Sequence, residues 1–221
     1  MNNLKENTVI LFQGDSITDG ARGRNEDLNH IMGHGYQYII GAKLQGDNPE
    51  KNIKFYNRGI SGNRISDLYG RWIEDAIQLN PDILSILIGV NDILHIYGRN
   101  SGSDCIRYEK ISRLLLDEML ENNPDIKFVL MEPFVGENFE TDEKRNFFRE
   151  NIGGYQKAVK KIAEEYNAIF IPLQDMFDTY AKIIPSKELI WDGIHPTMLG
   201  HELISRRWLE ITEKECKKQC S

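Results

Sequence analysis

Short apolar runs alternate with helix-spaced segments along the whole of this 221-residue chain, and that alternation sharply limits the folds open to it. Runs suited to buried strands fall at 8–13, 53–57, 83–88, 127–132 and 168–172, rich in Val, Ile, Leu and Phe and bounded by Gly, Asn, Asp or Pro. Between them, apolar residues three and four apart predict helices over 35–44, 66–79, 104–122, 142–166 and 198–213. Ser66 and Thr141 read as N-caps, and Pro196 as a residue just inside a helix start. The pattern predicts an α/β fold: a five-stranded, mainly parallel sheet with helices on both faces. No repeat, low-complexity tract or Pro/Ser-rich linker divides residues 1–221, so one three-layer domain is expected.

Charge narrows the function classes. Lys and Arg number 27 against 34 Asp and Glu, a net charge of −7 with neutral histidines, which disfavours nucleic acid or anionic lipid as a partner. Arg22, Arg24, Arg58, Arg64 and Arg71 are scattered among acids and read as surface or site-lining groups. The longest apolar stretch, 83–90, is too short to span a bilayer. Met1–Glu6 is polar and lacks the charged and apolar regions of a signal peptide, so a cytoplasmic location is expected. Cys105, Cys216 and Cys220 form no disulfide framework or metal-ligand spacing and read as reduced thiols.

Open α/β sheets bind ligands at the carboxyl ends of their strands, which directs attention to loops 14–25, 58–65, 89–103 and 133–140. The first opens Gly14-Asp15-Ser16-Ile17-Thr18-Asp19. A helical turn starting at Ser16 would aim free backbone N–H groups at its hydroxyl and hold an oxyanion formed on attack. Taken alone, Gly-Asp-Ser is an ordinary cap and turn, with roughly a one-in-twenty chance of arising in such a chain. Asp192-Gly193-Ile194-His195-Pro196 places a carboxylate three residues before an imidazole, a spacing that lets Asp192 fix the His195 tautomer. Alone, it reads as a capped turn with an exposed histidine. Gly62, after the second strand, offers an unobstructed N–H, and Asn91, after the third, a side-chain amide; each singly is a turn residue.

In combination these segments supply a nucleophile, a base with its carboxylate and two kinds of donor, each after a strand. Gly14-Asp15-Ser16, Gly62, Gly89-Val90-Asn91-Asp92 and Asp192-Gly193-Ile194-His195-Pro196 resemble blocks I, II, III and V of the SGNH (GDSL) hydrolases, over residues 9 to about 208. The resemblance implies a flavodoxin-like sandwich, with Ser16 as nucleophile, His195 as base and then acid, and Asp192 orienting His195. It also implies an oxyanion hole from the Ser16 and Gly62 N–H groups and the Asn91 side chain, with no metal or organic cofactor. The usual G-x-S-x-G elbow of the α/β-hydrolases is absent around Ser16.

Longer stretches, including Asn57-Arg58-Gly59-Ile60-Ser61-Gly62-Asn63 and Trp191-Asp192, resemble the branch of intracellular bacterial carbohydrate acetylesterases that deacetylate xylo-oligosaccharides. Fold and triad alone do not fix the ester. The alternatives are a thioesterase or small arylesterase, or a non-catalytic module that holds a sugar or anion in the same cleft. The branch also points toward a homo-oligomer. Asp15, Tyr97 and Trp191 are the candidate substrate contacts, with Arg99, Asn100 and Phe134 beside them; Trp191 reads equally well as packing beneath the Asp192–His195 turn. His30 and His34 have helical metal-pair spacing, but neighbouring glycines and the lack of a third ligand make exposed side chains the expectation. His95 is a rival base, and His201 is expected to pack or to make a surface contact.

Overall fold

The computed structural model describes residues 4–25 and 27–218. β1 (Val9–Gly14) runs into the single helical turn α1 (Ser16–Asp19), and α2 (Tyr36–Asp47) leads to β2 (Lys54–Asn57). Two short helices, α3 (Ile65–Tyr69) and α4 (Trp72–Asp75), carry the chain to β3 (Ile83–Leu87), which is followed by α5 (Val90–Arg99) and α6 (Cys105–Asn122). After β4 (Lys127–Met131) come α7 (Asp142–Glu165), β5 (Ile169–Ile171), α8 (Gln174–Tyr180) and α9 (Met198–Lys218). All five strands are parallel, in the order β2-β1-β3-β4-β5.

The order explains the layers. Parallel strands need crossovers, and these are almost always right-handed. The step from β1 to β2 runs one way along the sheet and every later step the other way, so the helices divide between the two faces. α2 packs with α9, and α6 with α7. With both faces covered, β1 and β3 are apolar almost throughout and do not alternate. Ile10, Leu11, Phe12 and Leu84 are wholly buried at the centre of the core.

Strand positions agree with the sequence to within a residue or two. Four local expectations do not hold. The segment 66–79 is broken into α3, α4 and a single 3-10 turn, and the α3 N-cap is Arg64, whose N–H donates to Asp67 at 2.8 Å; Ser66 lies inside the helix. Residues 90–99, expected as loop, form α5, because Gly89 reverses the backbone at φ +134° and frees the polar residues after it to begin a helix. Pro196 pairs with Ile190 in an antiparallel bridge two residues ahead of α9. Thr141 does cap α7, accepting from the Lys144 N–H at 3.2 Å. Cys105 is a free thiol; Cys220 and the side chain of Cys216 lie outside the described residues. Among those residues, no helix is long and apolar enough to cross a membrane, and no cluster of His, Cys, Asp and Glu suits a metal ion.

His201 joins α9 to α2. It is buried, its ring stacks on Tyr36, and its Nδ1 accepts the Tyr36 N–H at 3.2 Å, the first donor of α2 and one without an intrahelical partner. Burial, with His34 and His195 nearby, pushes its pKa down to about 4. A histidine depressed in the folded state adds stability that is complete above about 6.5 and lost as pH falls toward the folded value. His201→Asn is expected to remove up to about 1.4 kcal/mol per pH unit from the slope of stability against pH between about 6.5 and 4, as read by urea denaturation at a series of pH values.

Candidate active site

The reversal of chain direction falls between β1 and β3, where the loops leaving their carboxyl ends diverge and open a crevice. Gly14 and Leu87 are register partners, so the loops that follow start level. Gly14 has no room for a side chain: a Cβ there would sit 2.4 Å from the Leu87 carbonyl and from Thr18 Oγ1. Asp15 then caps α1, its Oδ1 accepting the Ile17 N–H at 3.0 Å. Ser16, the first residue of α1, has a backbone N–H with no intrahelical acceptor.

The Ser16 Oγ lies 2.8 Å from His195 Nε2, across 179 positions of sequence. On the far side of the ring, His195 Nδ1 lies 2.7 Å from Asp192 Oδ2. A carboxylate only accepts, so Nδ1 carries the proton and Nε2 is left to accept from the serine hydroxyl. The other Asp192 oxygen accepts the backbone N–H groups of Ile194 and His195 at 3.0 and 2.7 Å. Burial alone would raise the Asp192 pKa, but the His195 hydrogen bond and these N–H groups hold it below the usual carboxylate value. The Asp192 hydrogen bond in turn raises His195 above its ordinary value, against the opposing effect of burial.

The turn carrying this pair is closed by the Ile190–Pro196 bridge and by Trp191 N–H donating to the His195 carbonyl at 3.1 Å. Gly193 at its centre has φ +87°, and a Cβ there would come within 2.6 Å of the Phe139 ring.

Gly62 belongs to a loop laced to the Ser16 turn. Arg58 and Ile60 donate backbone N–H groups to Phe12 and Gly14. Ser61 gives both its N–H and its hydroxyl to Asp19 Oδ2, at 3.0 and 2.9 Å. Asn57 donates to the Thr18 and Asp19 carbonyls. Gly62 itself has φ +83°, and its N–H donates to nothing among the described residues. Asn91, buried at the start of α5, uses one amide hydrogen on the Asn63 carbonyl at 3.1 Å and keeps a second. Its neighbour Asp92 fastens this corner, accepting from Ile65 N–H at 3.1 Å and Ser103 N–H at 3.3 Å; burial pushes its pKa up to about 6.

The candidate substrate contacts are not all at the surface. Asp15 is 1% exposed, and burial raises its pKa to about 7, so it sits beneath the site and does not line a mouth. Phe134 is buried against Phe177. Tyr97 is half-buried on α5 and packs on Phe147 and Phe148; Arg99 and Asn100 are exposed just beyond it. Trp191 is 59% exposed beside Asp192, which excludes a packing role under the turn. His95 sits on α5 near Ser101 and not beside Ser16. His30 pairs with Asp27 at the surface, and His34 is exposed. Asp19 and Asp92 brace the site, yet the sequence reading passed over both; their place directly after the strand-end motifs was the available signal.

The family model for the GDSL-like lipase/acylhydrolase family matches residues 12–203. The chain belongs to that family. As a GDSL-family protein it is a carboxylic ester hydrolase. It is 38% identical over 212 residues to an acetylxylan esterase of Geobacillus stearothermophilus, covering 90% of this chain and 91% of that one. The crystal structure of Axe2, an acetylxylan esterase from the same organism, superposes with a TM-score of 0.81 at 36% identity, covering 94% of each chain. A GDSL-like lipase from Parabacteroides merdae superposes with a TM-score of 0.90 at 38% identity, covering 96% of this chain and 98% of the other.

Gly193→Ala is expected to lower stability by roughly 1–3 kcal/mol, because alanine at positive φ is strained and the added methyl collides with Phe139. The urea midpoint of this GDSL-family variant, beside that of the parent, measures it.

Proposed function

We propose that this GDSL-family protein removes acetyl groups from xylo-oligosaccharides through an acyl-enzyme, with Ser16 as nucleophile. One observation carries the reading: the unbroken line from the Ser16 hydroxyl through His195 to Asp192 at 2.8 and 2.7 Å. As Ser16 Oγ attacks the acyl carbon, His195 Nε2 takes the hydroxyl proton, and Asp192 stabilises the imidazolium that results. The Ser16 and Gly62 N–H groups and the second Asn91 amide hydrogen receive the oxyanion. Collapse expels the sugar hydroxyl, protonated by His195. Water, deprotonated by the same ring, then releases acetate and restores Ser16.

Similarity supports the acetyl-sugar choice: the Geobacillus relatives are acetylxylan esterases, and catalytic mutants among the solved Axe2 structures replace a serine and an aspartate by alanine. Trp191, exposed beside the Asp192–His195 turn, is suited to stack on a sugar ring. The free Cys105 thiol fits the cytoplasmic location expected from the sequence.

Acetate release from a panel of acetylated sugars, with Ser16→Ala as the blank, tests the assignment; a preference for long-chain esters or thioesters over all of them would refute it. Asn91→Ala is expected to lower kcat by roughly a hundred- to a thousandfold, as loss of one oxyanion donor does elsewhere. The base works only when neutral, so kcat/KM should rise with pH through one ionisation above the histidine reference of about 6.5, as the raised His195 value requires. Asp192→Asn should shift that ionisation downward and cut kcat by roughly 10³–10⁴. A pH–rate profile unchanged by the substitution would exclude Asp192 as the partner of His195.

A further inference from the structure

A second cleft, of about 480 Å³, opens beside the Gly62 loop at the β2 edge of the sheet and is lined by three guanidinium groups, those of Arg22, Arg24 and Arg58. Like charges gathered in one hollow repel one another, and here they do so on a protein whose net charge is −7. Their nearby carboxylates do not cancel them. Asp19 pairs with Arg24 at 2.8 Å and otherwise accepts from the Ser61 N–H and hydroxyl and from the Arg22 backbone N–H at 3.3 Å. Asp75 is divided between Arg71 at 2.8 Å and Arg58 at 3.4 Å, and the Arg58 Nε has no well-aligned hydrogen-bond acceptor.

The Arg22 guanidinium has no carboxylate partner among the described residues; Asp19 accepts the Arg22 backbone N–H at 3.3 Å and not its side chain. The one hydrogen bond of that guanidinium there runs from Nε to the Gly59 carbonyl at 3.0 Å, leaving the terminal nitrogens of its fork without an acceptor. Burial, with Arg24 and Arg58 adding to it, pulls its pKa down to about 10, so the site would gain from a neutralising anion. Apolar and aromatic groups, Leu28, Ile31, Phe55 and Tyr56, line the same cleft, with Arg58 lying 5.6 Å over the Tyr56 ring. The volume lies within the range of small-molecule sites.

We propose that this cleft binds a carboxylate carried by the substrate, so that acetylated xylo-oligosaccharides bearing a uronic acid are preferred over neutral ones. The proposal rests on the acetyl-sugar reading above. A planar carboxylate matches the free fork of Arg22, with Arg58 beside it. The aromatic wall would take the apolar face of the sugar. A single negative charge suits the site better than a phosphate dianion, since Asp19 and Asp75 already offset part of the positive charge. Because Arg22 holds the Gly59 carbonyl, the carboxylate would dock three residues from Gly62 along the same loop.

The test compares kcat/KM on acetylated xylo-oligosaccharides with and without a uronic acid side group, at low and raised salt. The parent enzyme is expected to favour the acidic substrate about tenfold, the worth of a charge-assisted hydrogen bond, with salt eroding the preference. Arg58→Gln and Arg22→Gln should each bring the ratio toward one. Reading a ratio separates loss of the anion site from general damage, and Arg58→Gln leaves the Gly59 anchor in place. In parallel, calorimetry on the Ser16→Ala protein measures binding of an unacetylated uronic-acid oligosaccharide, its neutral counterpart and inorganic phosphate.

Equal turnover of both substrates would overturn the proposal and leave the acetylesterase reading standing. Phosphate binding without uronate binding would overturn it in favour of a phosphate site. If no acetylated sugar is cleaved, the acetylesterase reading fails, and calorimetry then decides the cleft alone: uronate binding that disappears in Arg22→Gln sustains a carboxylate site, and no binding ends it.

Discussion

The side-by-side ending of β1 and β3 at the point where the sheet reverses direction is the constraint on which this protein depends. Only there do two neighbouring strands release their loops to opposite sides, and only there does a crevice open without a cavity having to be carved in the core. Gly14 marks the tightness of the arrangement, with a strand carbonyl on one side and Thr18 on the other. Once β1 and β3 are level, the Ser16 turn and the Asn91 helix begin beside each other, and the Gly62 loop is drawn in from β2.

Precision at the site comes from polar groups that do not react. Asp19, Asn57 and Asp92 each accept or donate across two segments, and each is buried. Inside a low-dielectric interior such bonds hold geometry firmly, because breaking one strands a desolvated polar group. The Ser16 turn, the Gly62 loop and the start of α5 are thereby fixed as a unit. His195 approaches that unit from the opposite end of the chain on a turn with its own closure, the Ile190–Pro196 bridge. Preorganisation of this kind is what an oxyanion site requires, since the donors then need no rearrangement as charge develops.

Much of this was legible in sequence, and the reasons differ by element. The strands stood out because a doubly covered sheet needs unbroken apolar runs. α7 was readable from Thr141 and its long period. α5 was not, because Asn91 and Asp92 look like turn residues until Gly89 is seen to reverse the backbone ahead of them. The 66–79 segment had helical spacing but breaks where Gly70 and Arg71 interrupt it. Asp15 and Phe134 were placed at a mouth from their position after strands; coordinates put both in the interior, since position along a loop says nothing about which way a side chain turns.

The sequence by itself determined the class of fold, the succession of its five strands, and which residues carry groups suited to acyl chemistry, because periodicity and residue type are local properties. Only the tertiary structure decided which of those residues meet. The 2.8 Å contact between Ser16 and His195, the gathering of Arg22, Arg24 and Arg58 around one hollow, and the exposure of Trp191 all depend on crossovers and loop closures that bring together segments far apart in the chain. Such meetings are set by the packing of the whole sheet, and no window of neighbouring residues encodes them.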